Sequence, residues 1–262
     1  MNYALTKVEI LNAQWRIIVA IMLHDLKTRF FGNEFGFLLY IAWPLTHILV
    51  LIAINAGLGR AAPYGESSAL YFATGIIPFL AFQYMSRLIS LGVILNRPLL
   101  SFPIIRITDI LFARAIIEIL AHGLVIIIVA VIFAAYGINF MPIDLVQACF
   151  ALLAMTLLGL GFGVINAIIA AAFPFWATGY ALLSLLFWFS SGIFYVPDAL
   201  PEGIRMPLSY LPWLQGVEWM RSAYYLGYGA TVLDKAYLLE FGCLSLLCGL
   251  LLERMVRGKL LQ

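Results

Sequence analysis

Arg114, Glu118 and His122 are the residues whose types and spacing come closest to a chemical site, because they recur at intervals of four residues. On a helix, this interval places the three side chains on one face. One interpretation is a structural pair, in which Arg114 and Glu118 neutralise each other within an apolar segment. The alternative places the three side chains at a protein interface or along a polar path.

No catalytic or metal-binding set accompanies these residues. His24, His47 and His122 are far apart and lack a His-x-x-x-His or Glu-x-x-His pairing. Neither the phosphate loop G-x-x-x-x-G-K-[ST] nor a G-x-S-x-G elbow occurs in the sequence. The glycine-rich stretch 159–163 is similar to a nucleotide loop, but it lies in an apolar run, where small residues allow close helix packing. We therefore predict that this chain has no catalytic residue, no metal site and no cofactor of its own.

The composition places most of the chain in a membrane. Apolar residues make up 64% of the chain and charged residues 11%, against about 45–50% and about 25% in an ordinary soluble domain. A soluble fold of 262 residues cannot bury so much apolar surface, so the excess must face lipid. This disfavours a soluble enzyme, a nucleic-acid-binding protein and a secreted disulfide scaffold. The net charge of +2 is too small to indicate a polyanionic partner.

Six stretches are long and apolar enough to cross a bilayer, which requires about 20 mostly apolar residues per helix. We predict an all-α integral membrane protein that forms one transmembrane domain over 1–262. Its six transmembrane helices are predicted at 36–58, 70–93, 109–136, 145–172, 176–195 and 236–254.

Two further segments do not fit a simple crossing. Residues 5–30 mix charged and apolar positions, which is typical of an N-terminal amphipathic helix that lies in the membrane interface. The stretch 196–235 contains four prolines, followed by Glu218 and Arg221. Each charge would cost about 2.5–3.5 kcal/mol at the bilayer centre. We therefore predict short external re-entrant helices over 196–229, before the last span.

Basic residues set the predicted orientation, because lysine and arginine are enriched in cytoplasmic loops. With the N-terminus inside, ten basic residues lie on the inner side and four on the outer side, which favours both termini in the cytoplasm. The inner residues are Lys7, Arg16, Lys27, Arg29, Arg87, Arg97, Arg106, Arg254, Arg257 and Lys259, and the outer residues are Arg60, Arg205, Arg221 and Lys235.

The segment 95–106, between the second and third spans, is too apolar for a loop in water. Pro98 and Pro103 bound a short apolar piece, which Arg97 and Arg106 flank. Its apolar side chains are Leu99, Leu100, Phe102, Ile104 and Ile105. The segment therefore lies either among lipid headgroups or in a groove on another protein.

Aromatic residues gather toward the predicted outer face. The pattern is typical of an interfacial aromatic belt. The alternative is a stacking surface for sugar rings, whose C–H faces pack on aromatic planes. The residues concerned are Phe187, Trp188, Phe189, Phe194, Tyr195, Trp213, Trp219, Tyr224, Tyr225 and Tyr228.

Taken in order, several short motifs resemble the membrane subunits (permeases) of bacterial ABC exporters that move polysaccharides, particularly the capsule-exporting branch. The resemblance covers nearly the whole chain. Two positions depart from the family pattern: Trp43 stands before Pro44, where Glu is frequent, and Leu211 stands before Pro212, where Asn is usual. The motifs are Lys27-Thr28-Arg29-Phe30, Gly36, Pro44 through His47, Gly75 through Phe79, Ile107 through Asp109, Ala113-Arg114-Ala115 with Glu118, Pro212, Val217-Glu218, Arg221 and Gly227-Tyr228.

The resemblance implies a partner set and a role for each segment. The permease would form a homodimer that docks on two copies of a separate cytoplasmic ATPase, which holds ATP and magnesium. Segment 95–106 would be the coupling helix that contacts the ATPase. Lys27 and Arg29 would meet the anionic linker of a lipid-linked acidic polysaccharide. The re-entrant helices would close the exit, which places Trp188, Tyr195, Trp213, Glu218, Trp219, Arg221, Tyr224 and Tyr225 on the glycan path or exit gate.

The same resemblance implies a cellular setting. Capsule exporters work with a periplasmic polysaccharide co-polymerase or adaptor and an outer-membrane channel, so the chain would lie in the inner membrane of a Gram-negative cell. Exporters of O-antigen and teichoic-acid type glycans share this plan and remain alternatives. An ATP-independent flippase or channel is a further alternative. A membrane enzyme of glycan assembly would need a cluster of Asp, Glu or His at one membrane face, which the sequence does not offer.

Overall fold

The computed structural model describes residues 7–28, 36–59, 61–229 and 231–260 of the chain. In these ranges every regular element is a helix, as predicted. The α-helices are α1 (Lys7–Thr28), α2 (Gly36–Gly57), α3 (Ser68–Leu95), α4 (Ile107–Ala135), α5 (Leu145–Ala172), α6 (Trp176–Ser190), α7 (Glu202–Ser209), α8 (Pro212–Tyr224) and α9 (Lys235–Leu260). Two 3₁₀ helices, Arg97–Ser101 and Pro197–Ala199, lie between them.

Five of these helices, α2, α3, α4, α5 and α9, are long and apolar enough to cross a membrane. They match five of the six predicted spans to within a few residues at most ends. The exception is the predicted crossing at 176–195, because α6 ends at Ser190 after 15 residues. At about 1.5 Å per residue, α6 is about 22 Å long, whereas the hydrocarbon core is about 30 Å thick. A full crossing by this segment stays a prediction.

Local capping sets the beginnings of the buried helices. The Ser67 hydroxyl accepts a hydrogen bond from the Leu70 N–H at 3.3 Å at the start of α3. The Asp144 carboxylate accepts one from the Gln147 N–H at 3.0 Å at the start of α5. Each cap satisfies one of the N–H groups that the first turn of a helix leaves without an intrahelical partner.

Helix α5 lies at the centre of the fold, between α3 and α9, and its glycines allow the close approach. A Cβ atom added at Gly159 would lie 2.8 Å from the Met85 Cβ of α3, and one at Gly161 would overlap the Ser245 Oγ of α9. Neither position therefore has room for a side chain. The packing interpretation of the glycine-rich stretch 159–163 is therefore confirmed.

The molecule has two ends, which the buried apolar clusters define. One cluster joins the last turns of α3 and α5 to the first turns of α4, through residues such as Ile89, Leu111 and Ile168. We call this the 3₁₀ end, because the helix Arg97–Ser101 lies there. The larger cluster joins the first halves of α3 and α5 to the second half of α4 and to α8. We call this the α8 end.

Candidate coupling surface and re-entrant core

The segment 95–106 presents two different sides. Leu99, Leu100 and Ile105 are half-buried against the chain's own cluster around Ile21 of α1 and Ile110 of α4. In contrast, Phe102 and Ile104 have exposed fractions of 55% and 67%. The Arg97 and Arg106 side chains are also exposed. One side thus anchors the segment, and the other presents two apolar side chains between two cations.

Helix α1 is attached to α4 by polar contacts as well as by apolar packing. The Gln14 side-chain amide donates a hydrogen bond to Asp109, whose other carboxylate oxygen accepts the Arg106 N–H at 2.9 Å. Further along α1, the Asp25 Oδ2 lies 3.2 Å from the Arg114 Nε, and both side chains are buried. The amphipathic helix therefore packs its Asp25 face against protein.

Arg114 and Glu118, which the sequence predicts as a pair, also contact residues of other helices. Asp25 of α1 supplies an acid to Arg114, and the Tyr40 hydroxyl of α2 donates a hydrogen bond to Glu118. The third member of the predicted face, His122, contacts the Ile77 carbonyl oxygen of α3 through its Nε2 at 3.1 Å. The three residues therefore join α4 to three other helices.

Lys27 lies in the last turn of α1, and its side chain is exposed. Arg29, its predicted companion at the lipid headgroups, lies outside the described residues. The role of both in binding an anionic linker stays a prediction.

Helix α8 runs from the middle of the fold to the α8 end. At its beginning, Trp213 contacts Phe187 of α6 and Phe82 of α3, with ring centroids 4.3 Å and 6.0 Å apart. At its end, Tyr224 contacts Phe140, which lies in the connection between α4 and α5, with ring centroids 5.8 Å apart. A re-entrant position of α8 in the membrane stays a prediction.

Arg221 stabilises the place where α6 stops. Its guanidinium donates hydrogen bonds to the carbonyl oxygens of Gly192 at 2.7 Å, Ile193 at 2.9 Å and Tyr195 at 3.2 Å. These carbonyls follow the last turn of α6, where no further helical N–H group is present to donate a hydrogen bond to them. The guanidinium also lies 4.0 Å from the centroid of the Tyr71 ring, a cation–π contact. Without such donors, these carbonyl oxygens would be left without hydrogen-bond partners.

Glu218 balances the Arg221 charge. The two side chains form an ion pair at 3.5 Å, and neither is exposed. The Tyr228 hydroxyl donates a hydrogen bond to the same carboxylate oxygen at 2.8 Å.

The predicted gate residues differ in exposure. Glu218 and Arg221 are enclosed, and Trp213 and Trp219 are buried, with the Trp219 indole N–H donating to the Gln147 side chain at 2.8 Å. These side chains hold α8 in place against the rest of the fold. The half-buried aromatics are Trp188, Tyr195, Tyr224 and Tyr225. A direct contact of any of these residues with glycan stays a prediction.

Sequence reasoning missed a cleft of about 580 Å³ between α2, α3 and α4. A second cleft of about 370 Å³ adjoins it between α2 and α3. The two clefts share the side chains of Trp43, Thr46, Tyr84 and Arg87. The sequence signals for this site are Arg87, a cation inside a predicted helix, and the polar face of α4, from which Glu118 and His122 line the larger cleft.

Comparison with known proteins yields several relatives that match almost the whole chain, although no protein-family model matches it. The polysialic acid transport protein KpsM of Escherichia coli is 27% identical over 238 residues, covering 90% of this chain and 92% of KpsM. The capsule polysaccharide export inner-membrane protein CtrC of Neisseria meningitidis serogroup B is 27% identical over 243 residues, covering 92% and 91%. BexB of Haemophilus influenzae, with the same description as CtrC, is 23% identical over 242 residues.

These relatives agree with the helical architecture and with the motifs in the sequence. The similarity runs from the N-terminal part to the C-terminal part of each protein, so it is not limited to one apolar segment. The chain is thus related along about nine-tenths of its length to inner-membrane proteins of capsule polysaccharide export, which confirms its resemblance to the permeases of capsule-exporting ABC transporters.

Proposed function

We propose that this chain is the permease subunit of an ATP-driven exporter that moves a lipid-linked capsular polysaccharide from the cytoplasm across the inner membrane. The observation that carries the proposal is the similarity to KpsM and CtrC over nine-tenths of the chain. The ATPase is a separate partner, bound in two copies to a permease homodimer. Both termini lie in the cytoplasm, so the 3₁₀ end faces the ATPase.

The exposed side of segment 95–106 supports the ATPase partner. Phe102 and Ile104 form an apolar surface at the 3₁₀ end, and the two flanking arginines would match acidic side chains on a partner. ATP-driven closure of the ATPase pair would push this segment as a rigid body. Because Leu99, Leu100 and Ile105 pack on the cluster of α1 and α4, the push would reach both helices.

The second candidate function is export of a lipid-linked O-antigen or teichoic-acid type glycan by the same mechanism. Trp43 and Leu211 keep this candidate open. Both residues depart from the pattern of the motifs that otherwise link the chain to the capsule branch. An ATP-independent flippase and an enzyme of glycan assembly have less support, since neither accounts for the apolar surface at Phe102 and Ile104.

Deleting the gene in its native cell tests the proposal. We expect the surface capsule to disappear and lipid-linked polysaccharide to accumulate inside the cell, with both effects reversed by the full chain supplied in trans. Loss of O-antigen or teichoic acid with an intact capsule would identify the second candidate instead. Unchanged amounts of all these surface glycans would contradict both.

A further inference from the structure

Arg87 is a cation within a membrane-spanning helix. It lies eight residues before the end of α3 at Leu95, about 12 Å along the helix axis. Its side chain is exposed, and within the described ranges its guanidinium has no ion pair and no hydrogen bond to protein. A charge at this depth is costly unless an anion or water reaches it. The exposed guanidinium is therefore open to an anion or to water from outside the chain.

The surroundings of Arg87 are rich in hydrogen-bond donors. Thr46 and Tyr84 line both clefts together with Arg87 and carry hydroxyl groups, of which the Tyr84 hydroxyl already contacts the His47 Nδ1 at 3.0 Å. Trp43 lines both clefts as well, with an exposed fraction of 73%. The acid of the larger cleft, Glu118, is buried and already accepts the Tyr40 hydroxyl. A donor set around a guanidinium is suited to an oxyanion, and arginine binds phosphate oxygens well.

The rest of the larger cleft is apolar. Leu39, Leu88 and Leu91 line it beside the donor set, and Leu39 is exposed at its edge. An occupant must therefore carry an anionic group next to an apolar chain. Free inorganic phosphate would leave this apolar lining uncovered.

We propose that the cleft between α2, α3 and α4 binds an anionic phosphodiester amphiphile, with Arg87 holding the phosphate and the leucines contacting the acyl chain. The binding itself requires only that the chain lies in a membrane. Its use as an entrance for the lipid end of the exported glycan rests on the proposed function. Two sources share this chemistry, namely bulk phosphatidylglycerol and a phosphatidylglycerol that carries sugar.

Fluorescence quenching by brominated lipids tests the site. The full chain is placed in nanodiscs with dibrominated phosphatidylglycerol or dibrominated phosphatidylcholine, and the Trp43 signal is the difference between wild type and Trp43→Phe. We expect phosphatidylglycerol to be preferred over phosphatidylcholine by about tenfold, from charge-assisted hydrogen bonds to Arg87. Arg87→Gln is expected to abolish that preference, and Arg87→Lys to keep most of it.

Arg254→Gln is the matched control, because Arg254 is an exposed arginine near the same end of the fold, on α9. We expect it to keep the wild-type preference. An unchanged preference in Arg87→Gln would overturn the site, as would a Trp43 signal that no lipid quenches, since protein such as a second copy would then cover the cleft. Either result would leave the proposed export function to be judged separately, by the gene-deletion test.

A second arm separates the two sources. Phosphatidylglycerol with a sugar on its headgroup is added against the brominated lipid. Displacement at lower concentration than plain phosphatidylglycerol supports an entrance for the cargo. Weaker displacement supports a site for bulk lipid, which overturns the entrance and retains the phosphodiester site.

Discussion

Replacing Arg221 with methionine is expected to destabilise the chain by about 3–5 kcal/mol, the usual cost of removing one partner of a buried ion pair. The substitution leaves the Glu218 carboxylate enclosed without its cation. It also removes the donors to the carbonyls of Gly192, Ile193 and Tyr195, where α6 ends. Thermal unfolding of the purified chain in detergent, followed by circular dichroism, measures the loss.

Two further variants separate the ion pair from general damage. Arg221→Met combined with Glu218→Gln is expected to recover part of the lost stability, because the uncompensated charge is gone. Arg205→Met on α7, where the arginine is only half-buried, should change stability by no more than about 0.5 kcal/mol. An Arg221→Met chain as stable as the wild type would refute the role of Arg221 in holding the end of α6.

Reversing both charges that flank the exposed apolar pair, with Arg97→Glu and Arg106→Glu, is expected to abolish surface polysaccharide. Both side chains are exposed at the 3₁₀ end, so the reversal should not unfold the chain. Placing two acids against an acidic partner surface should weaken ATPase binding by about 2–3 kcal/mol, or roughly a hundredfold. Copurification of the ATPase with tagged permease, beside surface polysaccharide, gives the two readouts.

Arg97→Lys combined with Arg106→Lys is the matched control for that reversal. It keeps both positive charges and should retain ATPase binding and most of the export. Normal export by the doubly reversed chain would remove segment 95–106 from the coupling role. Lost export with the ATPase still bound would place these arginines at a step other than docking.

The sequence predicted the spans well wherever a local signal ended the helix. Helix α5 occupies the predicted 145–172, because Asp144 caps its first turn and Pro174 follows its last. Helix α9 continues six residues past the predicted 254, to Leu260. There, Glu253 and Arg257 pair at 2.8 Å across one helical turn and extend the helix beyond its apolar part.

Helix α6 was predicted too long because the apolar run continues past its end. The signal that stops it is Ser190-Ser191-Gly192, in which Gly192 adopts a φ of 78°. Glycine takes that conformation without the penalty that other residues carry. Hydropathy alone ignores this backbone signal, so the predicted helix continued to residue 195.

The polar contacts were harder to predict, since their partners are distant in the sequence. Asp25 pairs with Arg114 across two intervening helices in chain order, and no spacing rule relates them. One usable sign was present: Asp25 lies four residues after the buried Ile21, on the apolar side of α1. The sequence identified Arg87 only as an inner-side cation. Its proposed role in binding depends on the cleft that α2 and α4 form with α3.

Reconstitution with and without the partner tests the central claim, that this chain is a passive conduit driven by a separate ATPase. The purified full chain is placed in proteoliposomes with lipid-linked polysaccharide, and both ATP hydrolysis and polysaccharide translocation are measured before and after adding the ATPase. We expect neither activity from the chain alone and both after the ATPase is added. ATP hydrolysis or polysaccharide translocation by the chain without its partner would contradict the claim.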